Sequence, residues 1–310
     1  MEKKVLIAVD GSSHAEYALK YAAQTYAWAS ELKFVLFHVQ PTISQYLLDE
    51  AGRKPGAHAE LEKLKKTNSQ ASRKLLETHQ EKLISLGVDA ADIQFVSLPR
   101  KFGAAKDILE YSISGMVDAI VMGRRGISGL TELFAGSVSA AVVDNSKLIP
   151  VWLVDEKSAG QEIMVAVDGS QNSLRAVDHL AFMLQNNSEA IITFFHMTPR
   201  LQDFCPIDFD AAETGDLEEI LQEGDQACID QFYARARKKL AQAGIDDHQI
   251  KINVKQGGLR VGRAVLDAFR KGSYGTLVIG RRGDDKKFFT GSVSRHLINN
   301  FSQGALWVVP

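Results

Sequence analysis

Four short blocks of this 310-residue chain occur twice, in the same order and about half a chain apart. Val5-Leu-Ile-Ala-Val-Asp-Gly-Ser12 recurs as Ile163-Met-Val-Ala-Val-Asp-Gly-Ser170, and Phe37-His-Val-Gln-Pro41 as Phe195-His-Met-Thr-Pro199. Ile120-Val-Met-Gly-Arg-Arg-Gly126 returns as Leu277-Val-Ile-Gly-Arg-Arg-Gly283, and Gly136-Ser-Val-Ser139 as Gly291-Ser-Val-Ser294. A repeat on this scale means two copies of one folding unit. The sequence divides into a first copy over 1–156 and a second over 160–310, with the polar stretch 155–161 as linker.

Within each copy, short β-branched runs alternate with amphipathic segments, the pattern of βαβ units on a parallel sheet. Strands are expected near 4–9, 33–39, 93–97, 118–122 and 150–154, then near 162–167, 190–197, 250–254, 276–279 and 305–309. Runs such as Asp118-Ala-Ile-Val-Met122 do not alternate, which suits strands covered by helices on both faces. The fold class is therefore α/β, two tandem doubly wound sheets of about five parallel strands each. Ser13 is placed to cap a helix with Ala15, Ala18, Leu19, Ala22, Ala23 and Tyr26 on its apolar face. A long charged helix is expected over 60–86, with Leu61, Leu64, Leu75, Leu76 and Leu83 inward.

A net charge of -2 supplies no general attraction to nucleic acid or an anionic membrane. No apolar run approaches the ~20 residues that span a bilayer, and the start of the chain lacks a secretory pattern, so a cytoplasmic protein is expected. Cys205 and Cys228, the two cysteines, have neither CxxC spacing nor a second pair, and read as incidental thiols. The motifs HExxH, Gly-x-Ser-x-Gly and GxxxxGK(S/T) do not occur, nor does GxGxxG follow the first strand, which disfavours zincins, α/β-hydrolases, P-loop enzymes and dinucleotide-binding dehydrogenases.

Ligands of open parallel sheets bind beyond the carboxyl ends of the strands, near the point where the strand order reverses. Asp10, Val39 and Gly123 fall at such ends. From Gly123 the chain reads Gly-x2-Gly-x9-Gly-Ser, through Gly126 and Gly136 to Ser137, where a helix over 138–146 begins. Glycine lets backbone amides converge on an anion, and a helix start favours phosphate. The hydroxyls of Ser137 and Ser139 add donors. Val39 could meet a base edge through its backbone, while Asp10 could accept from a ribose hydroxyl or an exocyclic amine. Each feature has a plainer reading: Asp10 to Ser13 as a helix cap, Gly123 and Gly126 as a tight turn, Ser137 as an N-cap. The nine residues between the last two glycines favour phosphate binding, since a simple turn needs no such length. Arg124-Arg125 and Arg281-Arg282 lie inside the motifs, with solvent or a domain interface as alternatives to phosphate. His38 and His196 occupy matched strand ends and suit packing better than catalysis.

At these residues the chain resembles the universal stress protein family, over essentially its whole length and twice over. The resemblance implies a Rossmann-like fold of the adenine nucleotide α-hydrolase type. It implies that Asp10 and Val39 hold the adenosine end of ATP, AMP or ADP, and that Gly123, Gly126, Gly136, Ser137, Val138 and Ser139 cradle ribose and phosphates, with Mg2+ a candidate companion. Carried into the second copy, the set is Asp168, Met197, Gly280, Gly283, Gly291, Ser292, Val293 and Ser294. There the run between Gly283 and Gly291 is seven residues, Asp284-Asp-Lys-Lys-Phe-Phe-Thr290, and its two carboxylates would repel phosphate unless a cation intervened.

The expected function is a non-catalytic ATP-binding stress-response module that acts through a protein partner or through assembly. The alternatives are a weak ATP hydrolase or nucleotidyl transferase, and a structural protein with a degenerate second site. In the resembling family the last strand pairs two domains, so Trp152 and Trp307 suggest an intramolecular pseudo-dimer, with a further homodimer left open. Segments 41–60 and 199–217 differ most between the copies and are positioned to carry partner specificity.

Overall fold

The computed structural model describes residues 2–29, 31–124, 137–155, 162–198, 211–257, 260–281 and 292–310. It forms two compact units, Met1–Ala27 with Glu31–Val154, and Trp28–Ser30 with Asp155–Pro310.

In the first unit β1 (Lys3–Ala8), β2 (Leu32–Val39), β3 (Ile93–Leu98), β4 (Ala119–Gly123) and β5 (Val151–Val154) lie in the order β3-β2-β1-β4-β5. All four pairings are parallel. The chain winds outward from β1 through β2 to β3, then crosses back to place β4 on the other side of β1. Strand order thus reverses between β1 and β4, where Ala8 is level with Met122. Val5, Leu6 and Ile7 are wholly buried, as are Ile120 and Val121, because helices cover both faces. Each such side chain contributes about 1.5–3 kcal/mol by leaving water. β3, at the free edge, leaves Gln94 and Phe95 exposed.

The helices are α1 (Ser13–Trp28), α2 (Gln45–Ala51), α3 (Pro55–Ser85), α4 (Ala104–Ser114) and α5 (Ser137–Asn145). Three details differ from expectation. Ser12, not Ser13, caps α1, its Oγ accepting the Ala15 amide at 3.3 Å. On α1, Tyr21 and Thr25 are buried while Tyr26 is only half covered, its hydroxyl donating to Asp92. On α3, Leu64 is exposed and Leu75 half-buried; the covered stripe beyond Leu61 is Ser72, Leu76, His79 and Leu83. These four follow helical spacing, and two are polar because the strand ends beneath them offer hydrogen-bond partners. The short α2, within the divergent segment 41–60, packs on α3.

The second unit repeats the plan. Its strands are β6 (Glu162–Val167), β7 (Ile192–Thr198), β8 (Ile250–Gln256), β9 (Tyr274–Gly280) and β10 (Ala305–Val309), ordered β10-β9-β6-β7-β8, again all parallel. Its helices are α6 (Gln171–Met183), α7 (Ala211–Gln242), α8 (Val261–Lys271) and α9 (Ser292–Asn300). Edge strand β8 is largely exposed and carries Lys251 and Lys255, charges that discourage further strand pairing. Trp152 and Trp307, at matched places in the last strands, are fully buried, one edge-on to Tyr21 and the other beside His179. Cys228 is exposed, and Cys205 lies outside the described residues. Among the described residues, no helix is long and apolar enough to cross a membrane.

Candidate functional site

In each unit the described members of the expected set lie at the strand ends and helix start beside the point where the strand order reverses. Just past β1, Asp10 Oδ1 accepts from both the amide and the hydroxyl of Ser12, closing a tight turn into α1. Past β6, Asp168 Oδ1 accepts from the Ser170 amide at 3.1 Å and the Ser173 hydroxyl at 2.6 Å, and Ser170 caps α6. Asp168 thus braces the turn that Ser170 caps, and stays exposed.

Gly123 and Gly280 end β4 and β9. A Cβ at Gly123 would lie 2.7 Å from the backbone carbonyl of His14, and one at Gly280 would strike the backbone of Asn172. Both glycines therefore admit the first turn of the helix that follows the first strand. This is a packing demand in addition to any approach by a phosphate.

α5 starts at Ser137 and α9 at Ser292. Ser139 is buried and donates its hydroxyl to the Arg124 carbonyl at 2.7 Å, latching the first turn of α5 to the end of β4. Ser294 donates instead to the Gly280 carbonyl, one residue earlier than the counterpart of Arg124, at 3.4 Å. The hydroxyl proton expected to serve a phosphate is thus donated internally. Arg124 is buried, which removes the solvent reading for its side chain, and Arg281 is half-buried. Gly126, Gly136, Gly283, Gly291, Arg125, Arg282 and the run 284–290 lie outside the described residues, as do the side chains of Ser137 and Ser292.

The histidines at the matched strand ends have different partners. His38 Nδ1 meets Ser72 Oγ at 2.6 Å, and Ser72 meets Ser97 Oγ at 2.7 Å. Burial holds the His38 imidazole below the usual histidine range; Asp10 pulls the other way, and His79 adds to the depression. His79, buried on α3, donates from Nε2 to the Asp10 carbonyl at 3.3 Å. In the second unit, His196 Nδ1 donates to the Val167 carbonyl at 3.1 Å, and its Nε2 faces Asp225 Oδ2 at 2.9 Å.

Around His196 the second unit encloses a cavity of about 350 Å³. Asp168, Met197, Gly280, Val293 and Ser294 all line it, with apolar walls from Phe195, Val261, Val265, Ile279 and Leu297. An apolar slot with a few convergent polar groups suits a flat heterocycle with a polar extension. In the first unit, Asp10, Val39, Gly123, Val138 and Ser139 hold the corresponding places at the ends of β1, β2 and β4 and the start of α5. Sequence reasoning did not find Asp225, His79 or the α8 valines. Asp225 and His79 reach the site from the long helices, whose rotation about their axes is set by packing rather than by any local motif.

The universal stress protein family model matches the chain twice, over residues 1–155 and 160–310. The universal stress protein MJ0577 of Methanocaldococcus jannaschii is 28% identical over 166 residues, covering 51% of this chain and 98% of the relative. The universal stress protein YxiE of Bacillus subtilis is 31% identical over 154 residues, covering 50% and 99%. Each relative therefore corresponds to about one of the two copies. A universal stress protein structure from Archaeoglobus fulgidus DSM 4304 matches 99% of this chain and 97% of its own at a TM-score of 0.64 and 18% identity, a likeness in fold. Repeat, topology and family match agree, and this chain belongs to the universal stress protein family as a tandem, two-domain member.

Proposed function

We propose that the chain is a nucleotide-binding regulatory protein, which holds ATP in its first domain without turning it over and reports occupancy to a partner. The observation that carries this reading is the collection of Asp168, Met197, Gly280, Val293 and Ser294 around one cavity at the reversal point of the second sheet. The first domain keeps the counterparts of these residues together with the full Gly-x2-Gly-x9-Gly-Ser spacing. The second domain, with its shorter run and two added carboxylates, is suited to a nucleoside or monophosphate better than to a triphosphate. An adenine nucleotide fits both places: the apolar slot takes the base, and the helix start takes phosphate.

A hydrolase on the same framework would need a carboxylate or base at the phosphate end. Asp10 stands at the adenosine end of the proposed pose, and its Oδ1 is engaged by Ser12, which favours binding over chemistry. We place the protein in the cytoplasm and assign Mg2+ to the nucleotide rather than to a dedicated protein site.

Titration with Mg-ATP by calorimetry, followed by an assay of released phosphate, tests this directly. Saturable heat without sustained phosphate release is expected. Sustained release would make the protein an enzyme, and absence of saturable heat would leave it a structural member of its family.

A further inference from the structure

A second cleft in the first domain lies outside the nucleotide residues, beyond the carboxyl ends of β2 and β3, and measures about 850 Å³. All the ionisable side chains that line it are basic: Lys65 from α3, and Arg100 and Lys101 from the loop between β3 and α4. Lys65 is partly offset by Glu62 at 2.8 Å, whereas Arg100 is steered by a bond from Nη1 to Thr42 Oγ1 at 2.8 Å. Lys101 Nζ lies 4.6 Å from the centre of the Phe102 ring.

The loop carrying these cations is built in advance. The buried carboxylate of Asp107 accepts the amides of Lys101, Phe102 and Gly103 at 3.0, 3.0 and 3.3 Å, and Gly103 takes a φ of 127°, which favours glycine. The loop's ordering is thus completed on folding, which lowers the entropy lost when a ligand arrives. Polar donors line the floor: Gln40, 8% exposed, donates to Ser97 Oγ at 2.8 Å. Leu48 and Ile43 supply an apolar flank.

We propose that this cleft is a second ligand site, for a small organic phosphate. Arg100 and Lys101, with the partly offset Lys65 across the cleft, exceed what one carboxylate would need and suit a doubly charged phosphomonoester. The Arg100 fork offers paired N–H donors to its oxygens. Ser97 also bonds Ser72, which bonds His38, so occupancy would be felt at the edge of the nucleotide site. The volume falls in the range of small-molecule pockets, roughly 300–1,000 Å³.

The test is a backbone amide NMR titration of the full chain with inorganic phosphate and with glycerol 3-phosphate, against sodium chloride at matched ionic strength. The expected result is saturable movement of the Lys101, Phe102 and Gly103 amides, with the ester binding more tightly than the free anion. Arg100→Glu with Lys101→Glu should weaken both probes by at least about tenfold while ATP binding persists. Ser69→Trp, which crowds the cleft without changing charge, should also weaken the ester. Shifts no larger than those from sodium chloride, unchanged binding in the charge-reversed protein, or shifts confined to residues 123 and 137–139 would each overturn the proposal.

Discussion

Gly123 ends β4 directly against His14, whose carbonyl occupies the space, 2.7 Å away, that a Cβ would need. Because Gly280 stands in the same relation to Asn172, both domains rely on a missing side chain to seat the helix that follows the first strand. Backbone has no rotamer with which to yield. Gly123→Ala and Gly280→Ala should each lower stability by about 1–3 kcal/mol, read as a shift of the urea midpoint. Unchanged midpoints would show that the loop relaxes freely.

Acid should weaken the first domain through His38. Burial lowers its folded pKa, so the unfolded chain, with histidine near its ordinary value of about 6.5, binds the proton more readily. The stabilising effect is fully present above that ordinary value and is lost as pH falls through the folded one. The groups facing the ring, Asp10, His79 and Ser72, modulate this without reversing its sign. His38→Asn should flatten the dependence of the urea midpoint on pH below about 6.5. A slope identical to the parent's would assign the acid limb elsewhere.

Asp225 is the carboxylate facing His196 in the second domain, where the other ring nitrogen is already donated to Val167. Asp225→Ala removes that partner from a buried imidazole and should destabilise the domain by about 1–3 kcal/mol. Ser72→Ala, the nearest operation at His38, should cost less, on the order of 1 kcal/mol, because it removes a neutral hydroxyl. Equal losses in the two denaturation curves would show that the charge of Asp225 is immaterial.

The repeat, the strands and the reversal point were legible in the sequence because each rests on local pattern: β-branched runs, turn residues and spacing. The placement of Asp10, Gly123 and Ser139 at strand ends and a helix start was legible, yet their internal duties were not, since Ser139 bonding Arg124 and Gly123 admitting His14 are contacts across the fold. The choice of Ser12 over Ser13 as cap turned on one residue of helix start. Leu64 was misplaced because α3 covers the sheet mainly with its later turns, a matter of helix direction that periodicity does not encode. Asp225 and the basic cleft were invisible for the same reason: the segments that form them come together only through the doubly wound topology.

A calorimetric ATP titration of Gly136→Val beside Gly291→Val asks most directly whether the first domain's long glycine motif is the triphosphate site. With that motif as the site, Gly136→Val weakens ATP at least about 100-fold, whereas Gly291→Val leaves the high-affinity phase intact. Undiminished ATP affinity in Gly136→Val, with its fold intact by circular dichroism, would contradict it.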